Sequence, residues 1–173
     1  MPLQAGGAHW ATNSAIALLT SVATAKLSAE EAAEALSDFT PPPGRGQVEQ
    51  LPLPSGGQFT LVDDAYNANP TSMRAALTAL SSRPAQRRLV ALGSMGELGP
   101  DSRIMHAGLA EDVMNSGAEA AWLSGDDMQA LADALPGTIQ KHWAVKADEH
   151  LEAVKISLCD GDTLLIKGSN NSR

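Results

Sequence analysis

Apolar and polar positions follow two different periods along this chain. Across residues 10–26 the apolar side chains recur at helical spacing, which predicts a helix. Ser28 and Glu31 have the spacing of a capping box, so a second, shorter helix is predicted to run to about Phe39. The run Pro41–Gly44 then excludes both a helix and a central strand, and we predict a stiff linker and a domain boundary there.

Beyond this linker, short apolar runs of strand length alternate with segments of helical periodicity. The alternation predicts an α/β fold of right-handed βαβ units, with a mostly parallel sheet and helices on both faces. The predicted strands are Gln47–Leu53, Gln58–Asp63, Arg88–Gly93, Ala120–Ser124, His142–Val145 and Thr163–Lys167. The predicted helices are Pro70–Ser82, Ser102–Ser116, Asp126–Leu135 and Ala147–Cys159. Ligands of such sheets bind beyond the carboxyl ends of the strands, so the segments there are the candidate site.

Composition narrows the class of protein. The 173 residues carry a net charge of −8, which argues against a broad basic surface for nucleic acid. No apolar run approaches the length of a membrane span, and the first residues lack the pattern of a secretory signal. The single cysteine, Cys159, excludes a disulfide within the chain and fits a reducing cytoplasm. We expect Cys159 to be a small buried apolar residue.

Polar side chains follow the strand Gln58–Asp63. The sequence FTLVDD runs directly into AYNANP, which places Asp64, Asn67 and Asn69 between a strand end and a helix start. A carboxylate at such a position can bind ribose hydroxyls, and amides can bind the polar edge of a ligand. The pattern equally allows an ordinary turn in which Asn69 only caps the helix that Pro70 begins.

Three other segments carry candidate chemistry. VALGSMGELG at 90–99 has the glycines of a phosphate loop but neither the GxGxxG order nor a P-loop lysine, so a tight turn is the simpler interpretation. Lys167 begins a polar run after the last strand, which either binds a carboxylate or phosphate or is only a polar terminus. Arg45, between two glycines, either reaches a bound anion or lies on the surface. The four histidines show no metal-ligand spacing.

Taken together, these motifs resemble the MurF branch of the Mur ligase family. The segments that carry the resemblance are LVDDAYNANPTSMRAAL at 61–77, ALGSMGELG at 91–99 followed by His106, and DTLLIKGSNNSR at 162–173. HWATN at 9–13 is similar to the HNxxN element of that family, and PPPGRG at 41–46 to the junction into its C-terminal domain. Three positions depart from the family pattern: Ala8 and Trp10 in the first element, and Ser94 in place of a common Asp.

The resemblance implies both a division of the chain and a set of binding residues. Residues 1–43 would be the helical end of a central ATP-binding domain, and residues 44–173 a Rossmann-like Mur ligase C-terminal domain. The family's nucleotide contacts would fall on Asn13 for adenine, Arg45 for the phosphates, Asp64 for ribose, and Asn67 and Asn69 for the same pocket. Its contacts with the peptide substrate would fall on Lys167, Ser169 and Asn170. No catalytic or metal-binding residue is carried over.

The resemblance also implies a reaction. In this family ATP, with Mg²⁺, phosphorylates the terminal carboxylate of UDP-N-acetylmuramoyl-tripeptide, and the amine of D-alanyl-D-alanine attacks the acyl phosphate. The segment GxxxxGK[ST] that would hold the ATP phosphates does not occur in this sequence. The expectation is a truncated cytoplasmic ligase that lacks its N-terminal domain and all but the end of its central domain, and that is inactive by itself.

Two alternatives remain open. The first is a stand-alone nucleotide- or peptide-binding module without catalysis. The second is an amide ligase of the folylpolyglutamate type, for which we would expect DGAHNP where this chain has DAYNANP.

Overall fold

The computed structural model describes residues 8–169, and the chain forms two compact units, Met1–Pro42 and Pro43–Arg173. In the first unit, α1 (Ala8–Ala25) contacts α2 (Ala29–Ser37). The apolar side chains of α1 are not all covered, since Ile16 is 57% exposed.

The predicted capping box begins α2. The Ser28 hydroxyl accepts the Glu31 N–H at 3.1 Å, and the Glu31 carboxylate accepts the Ser28 N–H at 2.8 Å. Because these hydrogen bonds favour the charged carboxylate, they lower the pKa of Glu31.

The second unit is built on a six-stranded sheet with the strand order β1-β2-β6-β3-β4-β5. Only β1 pairs antiparallel with its neighbour β2, and the other pairs are parallel, so the predicted fold class is confirmed. The strands are β1 (Gln47–Pro52), β2 (Gln58–Asp64), β3 (Arg88–Gly93), β4 (Ala118–Ser124), β5 (Gln140–Ala144) and β6 (Thr163–Lys167). The helices are α3 (Pro70–Ser81), α4 (Ser102–Ala107), α5 (Ala110–Asn115), α6 (Met128–Ala134) and α7 (Leu151–Ser157), and 3₁₀ turns at Gly99–Asp101 and Ala147–His150 precede α4 and α7.

The two faces of the sheet carry separate apolar cores, because successive side chains of a strand point to opposite faces. Val90, Leu123 and Leu165 lie on one face and pack in one cluster with buried residues of α3, α5 and α6. Their neighbours Trp122 and Leu164 lie on the other face, where Val154 of α7 and Leu158 pack against them. These near-continuous apolar strands are typical of a parallel sheet that is buried on both sides.

A tight hairpin joins β1 and β2. Gly56 and Gly57 both have positive φ, at 91° and 84°, and the N–H of Leu53 donates to the carbonyl of Gly57 at 3.1 Å. Glycine adopts this backbone conformation without steric cost, so the turn reverses the chain within a few residues. The first strand is therefore antiparallel in an otherwise parallel sheet.

Of the four helices predicted beyond the linker, two match within two residues at each end and two differ more in organisation. The segment predicted as a single helix, Ser102–Ser116, is two short helices separated at Gly108, whose N–H still donates to the carbonyl of Ile104 at 2.9 Å. Glycine costs about 1 kcal/mol relative to alanine inside a helix, so a break there is inexpensive. The helix predicted to reach Cys159 ends at Ser157, and the prediction that Cys159 is buried is wrong, since this residue is exposed.

The loop between α7 and β6 is fixed by a buried carboxylate at the amino end of the sheet. Asp162 is 1% exposed and accepts hydrogen bonds from Arg87 through Nε at 2.9 Å and Nη2 at 2.6 Å. Its Oδ2 also accepts the N–H of Cys159 at 2.7 Å. The hydrogen bond to Asp162 raises the pKa of Arg87 above its ordinary value. This pair lies at the end of the sheet opposite to the candidate site.

Candidate functional site

The carboxyl ends of β2 and β6 bring two predicted site residues together. Asp64 and Lys167 are partners in the parallel register of these strands, although 103 positions separate them in sequence. The Lys167 ammonium lies 2.7 Å from Asp64 Oδ2. Lys167 is almost completely buried, whereas the side chain of Asp64 is 25% exposed. The pair therefore places a carboxylate at the surface with a buried cation behind it.

The Lys167 ammonium has three hydrogens, and the structure offers three acceptors for them. Besides the Asp64 carboxylate, the carbonyl oxygens of Asn67 and Asp64 lie at 3.0 and 3.4 Å. All three acceptors belong to the end of β2 and the loop that follows it. In this conformation Lys167 anchors that loop to the sheet and has no hydrogen left for a substrate.

The loop 65–69 ends in the predicted cap of α3. Asn69 Oδ1 accepts the N–H of Ser72 at 2.8 Å, and Ser72 Oγ accepts the N–H of Asn69 at 3.1 Å. Pro70 occupies the first helical turn, where its missing N–H costs nothing. Asn67 Oδ1 accepts the N–H of Ala68 at 2.8 Å. The oxygens of both asparagine side chains therefore shape the backbone, and both side chains belong to exposed residues.

Arg45 lies at the same edge because its turn is attached to the end of β2. The N–H of Gly44 donates to Asp63 Oδ2 at 3.0 Å, and the carbonyl of Gly44 accepts the N–H of Tyr66 at 2.9 Å. Gly44 has a φ of 75°, and a Cβ there would lie 3.0 Å from the Tyr66 nitrogen, so the close approach favours glycine. The Arg45 guanidinium stacks on the Tyr66 ring, 3.8 Å from its centre. The stack holds an exposed cation at the same edge of the sheet as the partly exposed Asp64 carboxylate.

The glycine-rich loop after β3 approaches the segment after β6. The N–H of Ser169 donates to the carbonyl of Ser94 at 3.1 Å, and a Cβ on Gly96 would lie 3.6 Å from Ser169 Oγ. Ser169 is buried by these contacts. Glu97 in the same loop has a positive φ of 61°, which residues other than glycine seldom adopt. The loop therefore has a defined backbone conformation in contact with Ser169, although it lacks the sequence of a phosphate loop.

A cavity of about 240 Å³ opens beside this edge, between the sheet and α7. Its walls are largely apolar, and Lys167 is the one charged side chain among the described residues that line it. Trp122 also lines it, and its indole nitrogen has no hydrogen-bond partner within residues 8–169. The cavity suits an apolar group better than a phosphate.

Two predicted site residues are not part of this cluster. Asn13 lies on α1 of the first unit, where it is exposed, and its contact with adenine stays a prediction. Asn170 lies outside the described residues.

Two kinds of feature are missing from residues 8–169. No group of three His, Cys, Asp or Glu side chains in this range could hold a metal ion. None of the helices described in this range is long and apolar enough to cross a membrane.

A family model described as the Mur ligase, glutamate ligase domain, matches residues 44–170. The chain belongs to the Mur ligase family. The matched region is the C-terminal domain of these ligases, and it contains the whole sheet and every described site residue except Asn13.

Curated Mur ligases similar to this chain are UDP-N-acetylmuramoyl-tripeptide–D-alanyl-D-alanine ligases, the MurF enzymes. The ligase of Mycobacterium tuberculosis is 33% identical over an alignment of 190 positions, gaps included, which covers 95% of this chain and 36% of the ligase. That of Rickettsia prowazekii is 30% identical over 140 residues, which cover 81% of this chain and 30% of the ligase. The chain therefore spans about a third of the length of the curated relatives it matches.

Solved MurF structures have the same fold. MurF from Acinetobacter baumannii matches 96% of this chain and 36% of its own, with a TM-score of 0.81 and 25% identity. MurF from Thermotoga maritima, in complex with ADP, matches 80% of this chain and 30% of its own, with a TM-score of 0.65 and 22% identity. The second likeness shows the fold alone.

Sequence reasoning missed two contacts that organise this edge. The Arg45–Tyr66 stack had no signal, because the two residues lie 21 positions apart on different segments. His106 was noted only as part of the family motif, although it is fully buried and hydrogen-bonded to the glycine-rich loop. In a helix of six residues such as α4, the sequence alone does not show whether a polar side chain is buried or exposed.

Proposed function

We propose that this chain is the C-terminal part of a MurF-type ligase that joins D-alanyl-D-alanine to UDP-N-acetylmuramoyl-tripeptide. The observation that carries the proposal is the cluster of Arg45, Asp64 and Asn67 at one sheet edge, in a Mur ligase domain whose curated relatives are MurF enzymes. Residues 1–43 are then the end of the central ATP-binding domain, and residues 44–173 are the C-terminal domain. Such an enzyme works in the cytoplasm, where its nucleotide-linked substrate is made.

The nucleotide roles follow from charge and exposure. Asp64 Oδ2 is held by Lys167, which leaves Oδ1 of this quarter-exposed carboxylate to accept the ribose hydroxyls. Arg45 is exposed beside it and carries the charge for the phosphates. Asn67 and Asn69 shape the pocket, and Asn13 of the first unit contacts the adenine. MurF from Thermotoga maritima, which shares the fold, was solved in complex with ADP, and ADP is therefore the nucleotide to test.

The peptide roles fall on the segment after β6. Ser169 and Asn170 would face the peptide substrate, with Lys167 behind them. Because the Lys167 ammonium already has three protein acceptors, any contact with the peptide requires it to give up one of them. Its first role in this proposal is to hold Asp64 and the carbonyl of Asn67 in place.

The chemistry itself needs residues beyond this set. Phosphorylation of the tripeptide carboxylate converts a poor leaving group into a good one, and the amine of D-alanyl-D-alanine then displaces phosphate to form the amide. The residues 8–169 do not fit a Mg²⁺ site, since they include no suitable cluster of ligands, and we assign no metal step to them. The printed sequence has no GxxxxGK[ST], so the chain by itself should not catalyse this reaction.

A chimera tests the proposal directly. The matching third of the Mycobacterium tuberculosis ligase would be replaced by this chain, and ADP release would be measured with both substrates. We expect release that depends on D-alanyl-D-alanine, and a loss of it in the same chimera with Asp64→Asn but not with Asp133→Asn, an exposed change on α6. The chain alone should release no ADP.

The chimera also separates the alternatives. A folded chimera that binds the tripeptide substrate but accepts another amine, or none, would contradict the proposed substrate. A chain that ligates the two substrates by itself would refute the assignment of the phosphate site to a missing segment. A chain that binds nucleotide tightly by itself would favour the stand-alone binding module.

A further inference from the structure

His106 of α4 is fully buried, and both of its ring nitrogens are engaged. Nε2 lies 2.9 Å from the backbone nitrogen of Met95, which can only donate. Nδ1 lies 2.7 Å from the carbonyl oxygen of Ser102, which can only accept. The two contacts together require a neutral imidazole with its hydrogen on Nδ1 and a lone pair on Nε2.

Met95 needs this acceptor because its N–H is buried and lies past the end of β3. The strand ends at Gly93, and one residue further the N–H of Ser94 still donates to the carbonyl of Ser124 at 3.0 Å. The next N–H, that of Met95, donates to His106 Nε2 instead. A buried N–H without a partner is costly, and the Nε2 lone pair removes that cost. The side chain of Met95 is itself in the apolar core, so the residue cannot turn outward to water.

The same peptide group is held from its other side. The Met95 N–H and the carbonyl of Ser94 belong to one planar peptide, in which they point in opposite directions. The Ser94 carbonyl accepts the N–H of Ser169 at 3.1 Å. A rotation of this peptide that breaks the contact with His106 therefore also turns the carbonyl away from Ser169.

We propose that His106 is a positioning residue, which sets the place of Ser169 through the peptide that joins Ser94 to Met95. Helix α4 is in turn fixed to the start of α6, because Ser102 Oγ donates to Asp127 Oδ2 at 2.6 Å. The inference rests on the proposed function only in that Ser169 lies in the candidate peptide site. The hydrogen bonds on which it depends can be tested without measuring activity.

Two variants of His106 test the coupling in the chain as it stands. His106→Phe fills most of the ring volume but offers no acceptor, whereas His106→Gln has an oxygen near the position of Nε2. His142→Phe is the control, since the ring of His142 on β5 stacks on Trp122 and lies near the side chain of Gln140. The measurement is amide hydrogen exchange by NMR at Met95 and Ser169, relative to the core amides Val90 and Leu123.

We expect His106→Phe to speed exchange at both Met95 and Ser169 by roughly tenfold or more beyond any change at the core amides. His106→Gln should recover most of the protection at Ser169, and the control should change neither site. If Ser169 exchange followed the core amides in His106→Phe, the coupling would be absent. If His106→Gln restored slow exchange at Met95 but not at Ser169, the coupling of Ser169 to His106 would also be contradicted.

A measurement on the unsubstituted chain covers the case in which His106→Phe does not fold. Nitrogen NMR of the ring should give a pyridine-type shift for Nε2 and a pyrrole-type shift for Nδ1, with a scalar coupling across the hydrogen bond to the Met95 nitrogen. A pyrrole-type Nε2 would overturn the proposal. Failure of the chimera to ligate would leave this result unaffected, so the two proposals fail separately.

Discussion

Lys167→Met removes the buried ammonium while it keeps most of the length of the side chain. The substitution leaves the Asp64 carboxylate without its cation and the carbonyl of Asn67 without its donor. Since these contacts attach the loop 65–69 to β6, we expect the loop to loosen even where the sheet stays intact. Nucleotide binding should weaken as well, because Asp64 loses the partner that orients it.

The size of the effect follows from burial. Removing one partner of a fully buried ion pair costs roughly 3–5 kcal/mol. The Asp64 side chain is 25% exposed, so water recovers part of this, and we expect about 2–3 kcal/mol. For a chain of this length that is a fall in Tm of roughly 4–12 °C. The matched control is Lys155→Met, which breaks an exposed pair with Glu152 and should cost about 0.5 kcal/mol or less.

The assay is urea unfolding together with an ADP titration of the folded variants. The double variant Asp64→Asn, Lys167→Met should be less destabilised than the sum of its parts, by roughly 1–3 kcal/mol, because it leaves no unpaired charge. Lys167→Met should also weaken ADP binding, whereas Lys155→Met should not. If Lys167→Met unfolds like the control, or if the two substitutions add, the anchoring role is refuted.

Three further predictions concern other parts of the chain. Arg87→Met should destabilise the second unit by roughly 3 kcal/mol or more, because it leaves the buried Asp162 carboxylate without its cation at the amino end of the sheet. Urea unfolding measures this loss, and a change below about 1 kcal/mol would contradict the prediction. Because the pKa of Glu31 is lowered, its capping box stabilises α2 at pH values above the ordinary carboxyl pKa, and this contribution is lost as the pH falls through the lowered pKa. If the NMR shifts of α2 stayed constant through an acid titration, this prediction would be wrong. Tyr66→Leu should weaken ADP binding about two- to fivefold by releasing Arg45, and Tyr66→Phe should keep it, so equal losses in the two variants would exclude the ring stack as the cause.

The ends of two strands and two helix caps could be predicted from local sequence, whereas β4 and β5 each begin two residues before the predicted position. The apolar runs Arg88–Gly93 and Thr163–Lys167 are bounded by polar residues and glycine, and both strands have the predicted bounds. Asn69 followed by Pro70 marked the start of α3, because the Asn69 side chain accepts an N–H of the first turn and Pro70 has no N–H that would be left without a partner. These signals depend on neighbours in the chain and need no knowledge of the fold.

The contacts between residues of the site could not be predicted from local sequence. The pairing of Asp64 with Lys167 requires β6 to lie between β2 and β3, and strand order is decided by packing over the whole sheet. The antiparallel start of the sheet did have a signal, the short turn with Gly56 and Gly57 between two strands. The contact of His106 with Met95 had none, since it depends on how α4 folds back over the end of β3.

In the function proposed above, the carboxyl edge of this sheet is the nucleotide-facing edge of a MurF-type ligase. A titration of the chain with ADP, followed by NMR at each backbone amide, tests it most directly. We predict weak binding, with a Kd on the order of millimolar or about 4 kcal/mol, since the phosphate loop is absent from the printed sequence. The shifts should concentrate around Arg45, Asp64 and Asn67 and should disappear with Asp64→Asn. Micromolar affinity, or shifts that map to the Arg87–Asp162 end of the sheet, would contradict the account.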